Sequence, residues 1–351
     1  MRDVIQIGRR SIGAGRPVFI IAEAGVNHNG DLKRAFKLVD AAAKAGADAV
    51  KFQTFSTDRL VTSRSPKAKY QRKTTKAGES QHAMLKKLEL SRDDHRALKL
   101  RAEKHGLLFL STPFDRESAD LLEKLGVSAS KVGSGELTDL PLLKHIAGKG
   151  RPMLISTGMS WPKEVAQAVR TVREAGLNEI ALLHCVSAYP APVEDVNLLA
   201  MDAMRRTFNV PVGYSDHTEG IQVAVLAVAG GACIIEKHLT LDRKLPGPDH
   251  RMSLEPKEFA AMVRNIRETE KILGNGVKQP MRSEWDTRSV ARKSVVALMD
   301  IKKGRPLTRA MIGVRRPGIG IPPAGLESLL GCTLKVNVKA GAVLFAELLN
   351  E

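Results

Sequence analysis

Short apolar segments alternate with helical patterns from Val18 to about Gly274, and this alternation constrains the fold more than any other feature. Short apolar runs bounded by turn residues predict strands, and the amphipathic segments between them predict helices. The predicted strands are Val18–Ala24, Ala49–Gln53, Leu107–Ser111, Ser128–Val132, Met153–Ser156, Ile180–His184, Val210–Tyr214 and Ala232–Glu236. The helices between or after them include Leu32–Ala45, Arg92–His105, Pro162–Ala175, Gly220–Ala229 and Pro256–Leu273.

This number of strand–helix units predicts a closed barrel. Eight βα units in about 255 residues match a (β/α)₈ TIM barrel better than an open doubly wound sheet. The first strand is not followed by the Gly-x-Gly-x-x-Gly turn that binds dinucleotides, so that alternative lacks its main support. We therefore expect residues 1–274 to form an α/β barrel domain.

Polar residues cluster at the C-terminal ends of the predicted strands. They are Glu23, Asn27, His28 and Asn29; Lys51 and Gln53; the run 111–114; Lys131, Ser134 and Glu136; the run 156–159; and the run 184–190. In a barrel these ends converge on one mouth, where the fold places its active site. The sequence thus predicts one site built from several loops.

Two strand ends each carry one histidine, His217 and His238. Neighbouring parallel strands lie about 4.8 Å apart, so two imidazoles in equivalent positions can share one divalent ion. The alternative is that each histidine is an ordinary satisfied core or surface group. Asp216, Glu236 and the run Pro246–His250 lie close by in the sequence and favour a metal site.

The other strand-end residues indicate an anionic, hydroxylated ligand. Lys51 and Lys131 can neutralise a phosphate or carboxylate, and hydroxyl donors are available from Ser134, Ser156, Ser187 and Ser215. Taken singly, such lysines often extend to solvent and such serines often fill tight turns. Two lysines facing the mouth would need an anion, or carboxylates such as Glu23 and Glu136, to compensate them.

The formal net charge of +17 is compatible with nucleic acid, an anionic surface or an anionic substrate. The charge is densest in the run Arg64–Lys73, which lacks aromatic interleaving, and the chain shows no helix-turn-helix or zinc finger. We expect this run to be solvated surface, with capture of a phosphorylated small molecule as the functional alternative.

The cysteines and the N-terminus indicate a cytoplasmic protein. Cys185, Cys233 and Cys332 fall singly in apolar segments, so we expect packing residues in a reducing compartment. The N-terminal residues lack a signal-peptide pattern, and the longest apolar stretch, Val223–Ile235, is too short to span a bilayer.

Short motifs occur across essentially the whole chain. They are Ile21–Gly30 (IAEAGVNHNG), Lys51–Gln53 (KFQ), Ser111–Phe114 (STPF), Lys131–Glu136 (KVGSGE), Ser156–Met159 (STGM), Tyr214–His217 (YSDH), Glu236–Asp242 (EKHLTLD) and Gly247–His250 (GPDH). In these motifs and their order the sequence resembles the sialic acid synthase family. The resemblance implies condensation of phosphoenolpyruvate with an N-acylated mannosamine-type aldose, giving a nine-carbon 2-keto sugar acid. It also implies a divalent metal such as Mn²⁺ or Mg²⁺.

The resemblance assigns roles to individual residues. It implies phosphoenolpyruvate binding by Lys51, Lys131, Ser134, Ser156 and Ser215. It implies catalytic roles for Glu23, Glu136, His217 and His238, with both histidines holding the metal, and substrate binding by Gln53, Thr112, Ser187, Tyr189, Asp249 and Arg316. Family members often carry asparagine at the position of Ser187, and some carry an aromatic residue near the position of Val290, so the sugar itself stays open.

A second, smaller domain follows the barrel. Residues 275–290 are predicted as a polar linker, and residues 291–351 contain the β-prone segments Ser294–Leu298, Leu334–Val338 and Val343–Phe345. This region resembles the antifreeze-like (SAF) domain that ends such synthases, including the loop Arg316–Ile321 (RPGIGI).

Three functional alternatives remain at this point. The aldose is either N-acetylmannosamine or a relative such as a 2,4-diacetamido-6-deoxy hexose, the precursor type of legionaminic or pseudaminic acids. A metal-independent aldolase would form a Schiff base through Lys131 or Lys237, although Glu136 and Glu236 favour the charged amine. A non-catalytic anion- or glycan-binding protein would bind in a salt-dependent manner without a metal.

The resemblance also predicts a domain-swapped homodimer, in which Arg316 of one subunit completes the barrel mouth of the other. A linker that starts with Gly274-Asn275-Gly276 is long enough to carry a small domain across an interface. The alternative is that Arg316 stiffens a Pro-Gly turn within its own subunit.

Mixing inactive His217→Ala and Arg316→Ala chains should restore activity, because each heterodimer then contains one intact site. Heterodimers that form without activity would exclude the shared site.

Overall fold

A computed structural model describes residues 4–76 and 78–350, apart from the side chain of Lys73. The chain forms two compact units, Met1–Gly274 and Asn275–Glu351, each with its own hydrophobic core.

The first unit contains a parallel barrel sheet. Its strands are β1 (Val4–Ile7), β2 (Arg10–Gly13), β3 (Phe19–Gly25), β4 (Ala49–Thr54), β5 (Leu108–Pro113), β6 (Ser130–Val132), β7 (Met153–Ser156), β8 (Ile180–Cys185), β9 (Val212–Asp216) and β10 (Ile234–His238). Strands β3 to β10 form one eight-stranded sheet in the order β5-β4-β3-β10-β9-β8-β7-β6, and β5 and β6 approach each other to nearly close it. The predicted TIM-like fold is confirmed.

The predicted strands lie within two residues of the observed ones. The largest difference is at β9 and β10, which begin and end two residues later than predicted. His238 is consequently the last residue of β10, whereas His217 directly follows β9. The parallel register pairs Lys237 with Asp216, so the two histidines are the next residues along neighbouring strands.

Helices of the first unit surround the barrel in the expected alternation, and one further helix belongs to the second unit. They are α1 (Leu32–Lys44), α2 (Thr57–Leu60), α3 (Lys69–Thr74), α4 (Gln81–Lys86), α5 (Arg92–Lys104), α6 (Arg116–Leu125), α7 (Leu140–Ala147), α8 (Pro162–Glu174), α9 (Ala200–Phe208), α10 (Gln222–Ala229), α11 (Pro256–Leu273) and, in the second unit, α12 (Trp285–Ala291). Asp31, Asp115 and Asp139 cap α1, α6 and α7, because their carboxylates accept otherwise unpaired N–H groups of the first turn. A proline occupies the first turn of α8 and of α11, where no N–H is needed.

Strand periodicity determines which side chains reach the mouth. In β3, Phe19 and Ile21 belong to the interior core of the barrel, and Ile20 and Ala22 to the core between sheet and helices. Since side chains alternate along a strand, Glu23 is the next interior residue after Ile21 and lies at the C-terminal end. The other barrel strands follow the same rule, with small or apolar residues below and polar residues at the mouth.

An N-terminal hairpin, not predicted from the sequence, completes the interior core. Strands β1 and β2 pair antiparallel, and their residues Ile5, Ile7 and Ile12 are buried in the same cluster as Phe19 and Ile234. Phe19 and Ile234 are the first residues of β3 and β10, at the N-terminal ends of these strands. The hairpin therefore packs at the end of the barrel opposite the mouth.

The second unit is built on a small antiparallel pair, β11 (Ser294–Ala297) and β12 (Ile312–Arg315). The prediction for β11 is confirmed, whereas β12 was not predicted. The segments Leu334–Val338 and Val343–Phe345 contribute isolated bridges instead of the predicted regular strands. Around the pair, a core of buried aliphatic residues such as Leu334 and Leu344 packs together.

The predicted linker 275–290 contains regular structure. A 3₁₀ turn at Arg282–Glu284 leads into α12, and the Glu284 carboxylate accepts a hydrogen bond of 2.7 Å from the backbone N–H of Met281. This carboxylate satisfies one backbone N–H at a helix start that the polar composition did not suggest.

Within the described part of the chain, no helix combines the length and apolar character needed to cross a membrane.

Candidate active site

A cavity of about 420 Å³ lies at the C-terminal ends of the barrel strands. It brings together every predicted site residue of the first unit: Glu23, Lys51, Gln53, Thr112, Lys131, Ser134, Glu136, Ser156, Ser187, Tyr189, Ser215, His217, His238 and Asp249. Arg316 belongs to the second unit, directly after β12, and its shared-site role stays a prediction.

The floor of the cavity is a buried cluster of charges centred on Glu236. The ammonium group of Lys51 lies 3.6 Å from one carboxylate oxygen of Glu236, and that of Lys131 lies 3.6 Å from the other. Lys51 also contacts Glu23 at 3.1 Å. All four side chains are at least nine-tenths buried, so their charges interact with little screening by water.

Hydroxyl groups supply further hydrogen bonds to this cluster, although Oε2 of Glu23 and Oε2 of Glu236 are buried without a hydrogen-bond partner among the described residues. Lys51 donates to Oγ1 of Thr112 at 3.1 Å, and Lys131 donates to Oγ of Ser156 at 2.7 Å. The hydroxyl of Ser215 donates to Glu236 at 3.0 Å. Each of these residues occupies an inward position near the end of its strand, which is why the sequence periodicity brings them together.

The two carboxylates beside Lys51 have different protonation behaviour. Burial raises the pKa of Glu23 to about 7, although Lys51 opposes the shift. Burial also opposes ionisation of Glu236, but Lys131 and Lys51 together lower its pKa below the usual value. Burial lowers the pKa of Lys131 despite the attraction of Glu236. The cluster thus holds an ionised Glu236 between two amines and a Glu23 that titrates near neutrality.

Glu136 provides a second carboxyl group that titrates near neutral pH. Burial raises its pKa to about 7, and its Oε2 atom is buried without a hydrogen-bond partner among the described residues. A carboxyl group with a pKa near the working pH can both donate and accept a proton. Glu23 and Glu136 are therefore suited to proton transfer, as is Asp249, whose pKa burial raises to about 6.

The predicted histidine pair lies beside this cluster, with ring centroids 5.6 Å apart. Nδ1 of His217 lies 2.7 Å from the carbonyl oxygen of Val186. Because a carbonyl only accepts, Nδ1 carries the proton and Nε2 keeps its lone pair. Nδ1 of His238 is buried without a hydrogen-bond partner among the described residues, and burial lowers the pKa of both rings.

These properties fit a shared divalent ion. A metal binds neutral imidazole, and a carbonyl partner for the second ring nitrogen is the usual way to orient such a ligand. Among the described residues, no cluster of three or more histidine, cysteine or carboxylate side chains is arranged as a metal site. The pair would therefore leave coordination positions open to substrate or water.

Asp216 and Lys237 lie on the outer face of the same strands and not in the cavity. The Lys237 ammonium donates to Asp216 at 2.8 Å and to the carbonyl of Thr218 at 2.6 Å, and both charged side chains are fully buried. The other oxygen of Asp216 accepts from the N–H and hydroxyl of Thr218. This pair ties β9 to β10 directly behind the histidines, so Lys237 cannot act as the Schiff-base lysine considered from the sequence.

Several cavity residues were not identified from the sequence. Glu236 was noted but not assigned, although it lies two residues before His238 and so must share its face. Cys185, expected to be a packing residue, lines the cavity with its sulfur 3.1 Å from Oγ of Ser134. The run Arg64–Lys73, expected to be solvated surface, contributes Tyr70 and Gln71 to the cavity wall.

The fold and the site define the class of protein: a (β/α)₈ barrel whose mouth holds two lysines and several carboxyl groups beside two histidines. The sequence model of the NeuB family matches residues 38–278, and that of the SAF domain matches residues 292–350. This chain belongs to the NeuB family, and it is a phosphoenolpyruvate-dependent synthase of the sialic acid synthase type.

Named relatives cover nearly the whole chain. The chain is 46% identical to N,N'-diacetyllegionaminic acid synthase of Legionella pneumophila, over 97% of each sequence. It is 38% identical to human N-acetylneuraminate-9-phosphate synthase, over 97% of this chain and 95% of the relative. A crystal structure of N-acetylneuraminic acid synthetase from Leptospira borgpetersenii matches with a TM-score of 0.73 and 38% identity, over 81% of this chain and 94% of that one.

The raised pKa of Glu136 predicts a pH-dependent effect on stability. The native state favours the protonated carboxyl, so its contribution to stability is complete below about pH 4.5 and is lost as pH rises through about 7. The Glu136→Gln variant has no carboxyl group to ionise at this position, so it does not lose stability in this way. Between pH 4.5 and 8, the free energy of unfolding of the variant should gain up to about 3 kcal/mol relative to wild type. Solvent reaches part of the side chain, so this is an upper bound.

Urea unfolding at several pH values measures this difference. The matched control is Glu174→Gln, which changes an exposed carboxylate at the end of α8. A gap between Glu136→Gln and wild type that does not change with pH would show that the native pKa of Glu136 is ordinary.

Proposed function

We propose that this enzyme joins phosphoenolpyruvate to an N-acylated amino-sugar aldose, with a 2,4-diacetamido-6-deoxy hexose as the preferred aldose. C3 of phosphoenolpyruvate forms a bond to the aldehyde carbon, and the aldehyde oxygen takes up a proton and becomes a hydroxyl group. Water adds at C2, and phosphate leaves. The products are a nine-carbon 2-keto sugar acid and inorganic phosphate.

The observation that carries this proposal is the buried pair Lys51 and Lys131 on either side of Glu236. Two ammonium groups and one firmly ionised carboxylate leave an excess positive charge when Glu23 is protonated. A buried excess charge is costly unless a ligand compensates it. The carboxylate and phosphate of phosphoenolpyruvate provide that compensation, and Ser134, Ser156 and Ser215 supply hydroxyl donors around it.

His217 and His238 are the residues that would hold a divalent ion, since burial lowers the pKa of both rings and the Val186 carbonyl orients His217. When bound, such an ion supplies Lewis-acid polarisation of a carbonyl oxygen. The side chains around it perform the remaining tasks. Glu23 and Glu136, with pKa values near 7, exchange protons with the aldehyde oxygen and the added water.

The preference for a diacetamido aldose rests on two observations. Identity is higher to the relative named N,N'-diacetyllegionaminic acid synthase, at 46%, than to the relative named for N-acetylneuraminate 9-phosphate, at 38%. The cavity is also lined by a group of apolar side chains, which suits acyl methyl groups and a 6-deoxy carbon. That group consists of Val26, Phe55, Leu60, Val61, Leu85 and Phe114.

Mass spectrometry of products tests the activity and the aldose together. Incubation with phosphoenolpyruvate, Mn²⁺ and a panel of N-acetylmannosamine and 2,4-diacetamido-6-deoxy hexoses should give a nine-carbon keto acid. We expect kcat/KM at least about tenfold higher for one diacetamido sugar, a difference of about 1.4 kcal/mol in transition-state binding. A preference for N-acetylmannosamine would overturn the choice of aldose, and absence of a keto acid with every aldose would overturn the reaction.

Removal of the metal ligand should abolish both activity and ion binding. His217→Ala and His238→Ala should each reduce turnover by at least about 100-fold, since either change breaks the pair. Mn²⁺ titration followed by electron paramagnetic resonance checks binding directly. The control is His105→Ala, which changes a histidine that contacts Asp40 on the helical surface. Full turnover in excess EDTA would refute the metal role.

A further inference from the structure

The basic run Arg64–Lys73 is a sequence feature to which the proposed reaction assigns no role. It lies in the connection between β4 and α4, and Arg64, Lys69 and Arg72 are exposed. Three of its residues, Ala68, Tyr70 and Gln71, nevertheless line the cavity.

We propose that Tyr70 is an aldose-binding residue, and that the segment 67–76 is a preformed wall that presents it to the sugar. The proposal rests on the reaction proposed above, and it assigns one side of the aldose site to a loop that contains none of the predicted site residues.

The position of Tyr70 is fixed by an aromatic stack that leads to the histidine pair. Its ring lies 4.9 Å from that of Tyr189, centroid to centroid, with 33° between the planes. Tyr189 in turn lies 4.3 Å from the ring of His217 and meets His238 edge-on at 6.3 Å. The stack therefore runs from the loop to the place where the aldehyde carbon must react.

The surroundings of Tyr70 suit a sugar. Its phenol is mostly buried, and burial, together with nearby Asp249, raises its pKa, so the hydroxyl stays neutral. The hydroxyl accepts a long hydrogen bond of 3.4 Å from Gln71, and its own hydrogen has no acceptor among the described residues. A neutral aromatic ring with a free donor, in a cavity that Asp249 also lines, can pack against a pyranose and bind its hydroxyl or acyl oxygens.

Bonds within the loop hold this wall in place without a ligand. Lys67 is buried, and its ammonium donates to Oγ1 of Thr75 at 2.9 Å and to the carbonyl of Lys76 at 2.6 Å. The Gln71 carboxamide accepts from the N–H of Ala68 at 3.0 Å. Because the loop is closed by its own contacts, Tyr70 is presented in one position, and less conformational entropy is lost when the aldose binds.

Steady-state kinetics with the accepted aldose tests the proposal. Tyr70→Ala should raise KM for the aldose at least about tenfold, about 1.4 kcal/mol of binding, while the affinities for phosphoenolpyruvate and Mn²⁺ change less than about threefold. Tyr70→Phe keeps the stack but loses the hydroxyl donor, so its KM for the aldose should rise by about fivefold, the equivalent of one hydrogen bond of about 1 kcal/mol. The control is Arg72→Ala, which removes an exposed side chain from the same short helix and should leave all constants unchanged.

The outcomes separate this inference from the proposed reaction. If wild type forms no keto acid, the reaction fails, and Tyr70 then has no aldose to bind. If wild type forms the keto acid and Tyr70→Ala leaves KM for the aldose unchanged, with circular dichroism and melting temperature as in wild type, the inference is wrong. A variant that loses phosphoenolpyruvate, Mn²⁺ and aldose affinity together would show that Tyr70 supports the fold and does not bind the sugar.

Discussion

The carboxylate of Glu236 makes the rest of the active site possible. It lies 3.6 Å from the ammonium groups of both Lys51 and Lys131, and all three side chains are buried. Two buried ammonium groups without a counter-charge would be strongly destabilising, and an isolated buried carboxylate would take up a proton. Each charge is therefore stable only because the others are present, and the small excess of positive charge is left for a substrate anion.

This arrangement follows from the geometry of the barrel. Interior positions recur at every second residue, so a strand with apolar residues low in the barrel presents its next interior residues at the mouth. On β10 this order gives Ile234 in the core, Glu236 in the charge cluster and His238 in the histidine pair. Lys237 lies on the opposite face and bonds Asp216, which fixes β9 and β10 behind the histidines. One strand thus contributes core packing, electrostatics and a candidate metal ligand.

Much of this could be predicted from the sequence, because strand period and strand ends are local properties. The barrel, its strands within two residues, and the strand-end residues from Glu23 to His238 were obtained in this way, whereas the role of Asp249 came from the family resemblance. Features that depend on long-range contacts could not be predicted from the sequence. The hairpin that closes the lower core, the cap that starts α12, and the inward turn of Tyr70 each depend on partners distant in sequence or on side-chain bonds within a loop. Lys237 could have been placed outside the cavity from its alternation with His238.

The most direct test of the account is the affinity for phosphoenolpyruvate alone, measured by isothermal titration calorimetry without aldose. Lys51→Met and Lys131→Met each remove one buried ammonium group, and each should weaken binding at least about 30-fold, since a charge-assisted contact is worth about 2 kcal/mol or more. Lys163→Met, on the exposed side of α8, is the matched control and should bind as wild type. Unchanged affinity in both folded active-site variants would contradict the claim that this charge cluster forms the anion site.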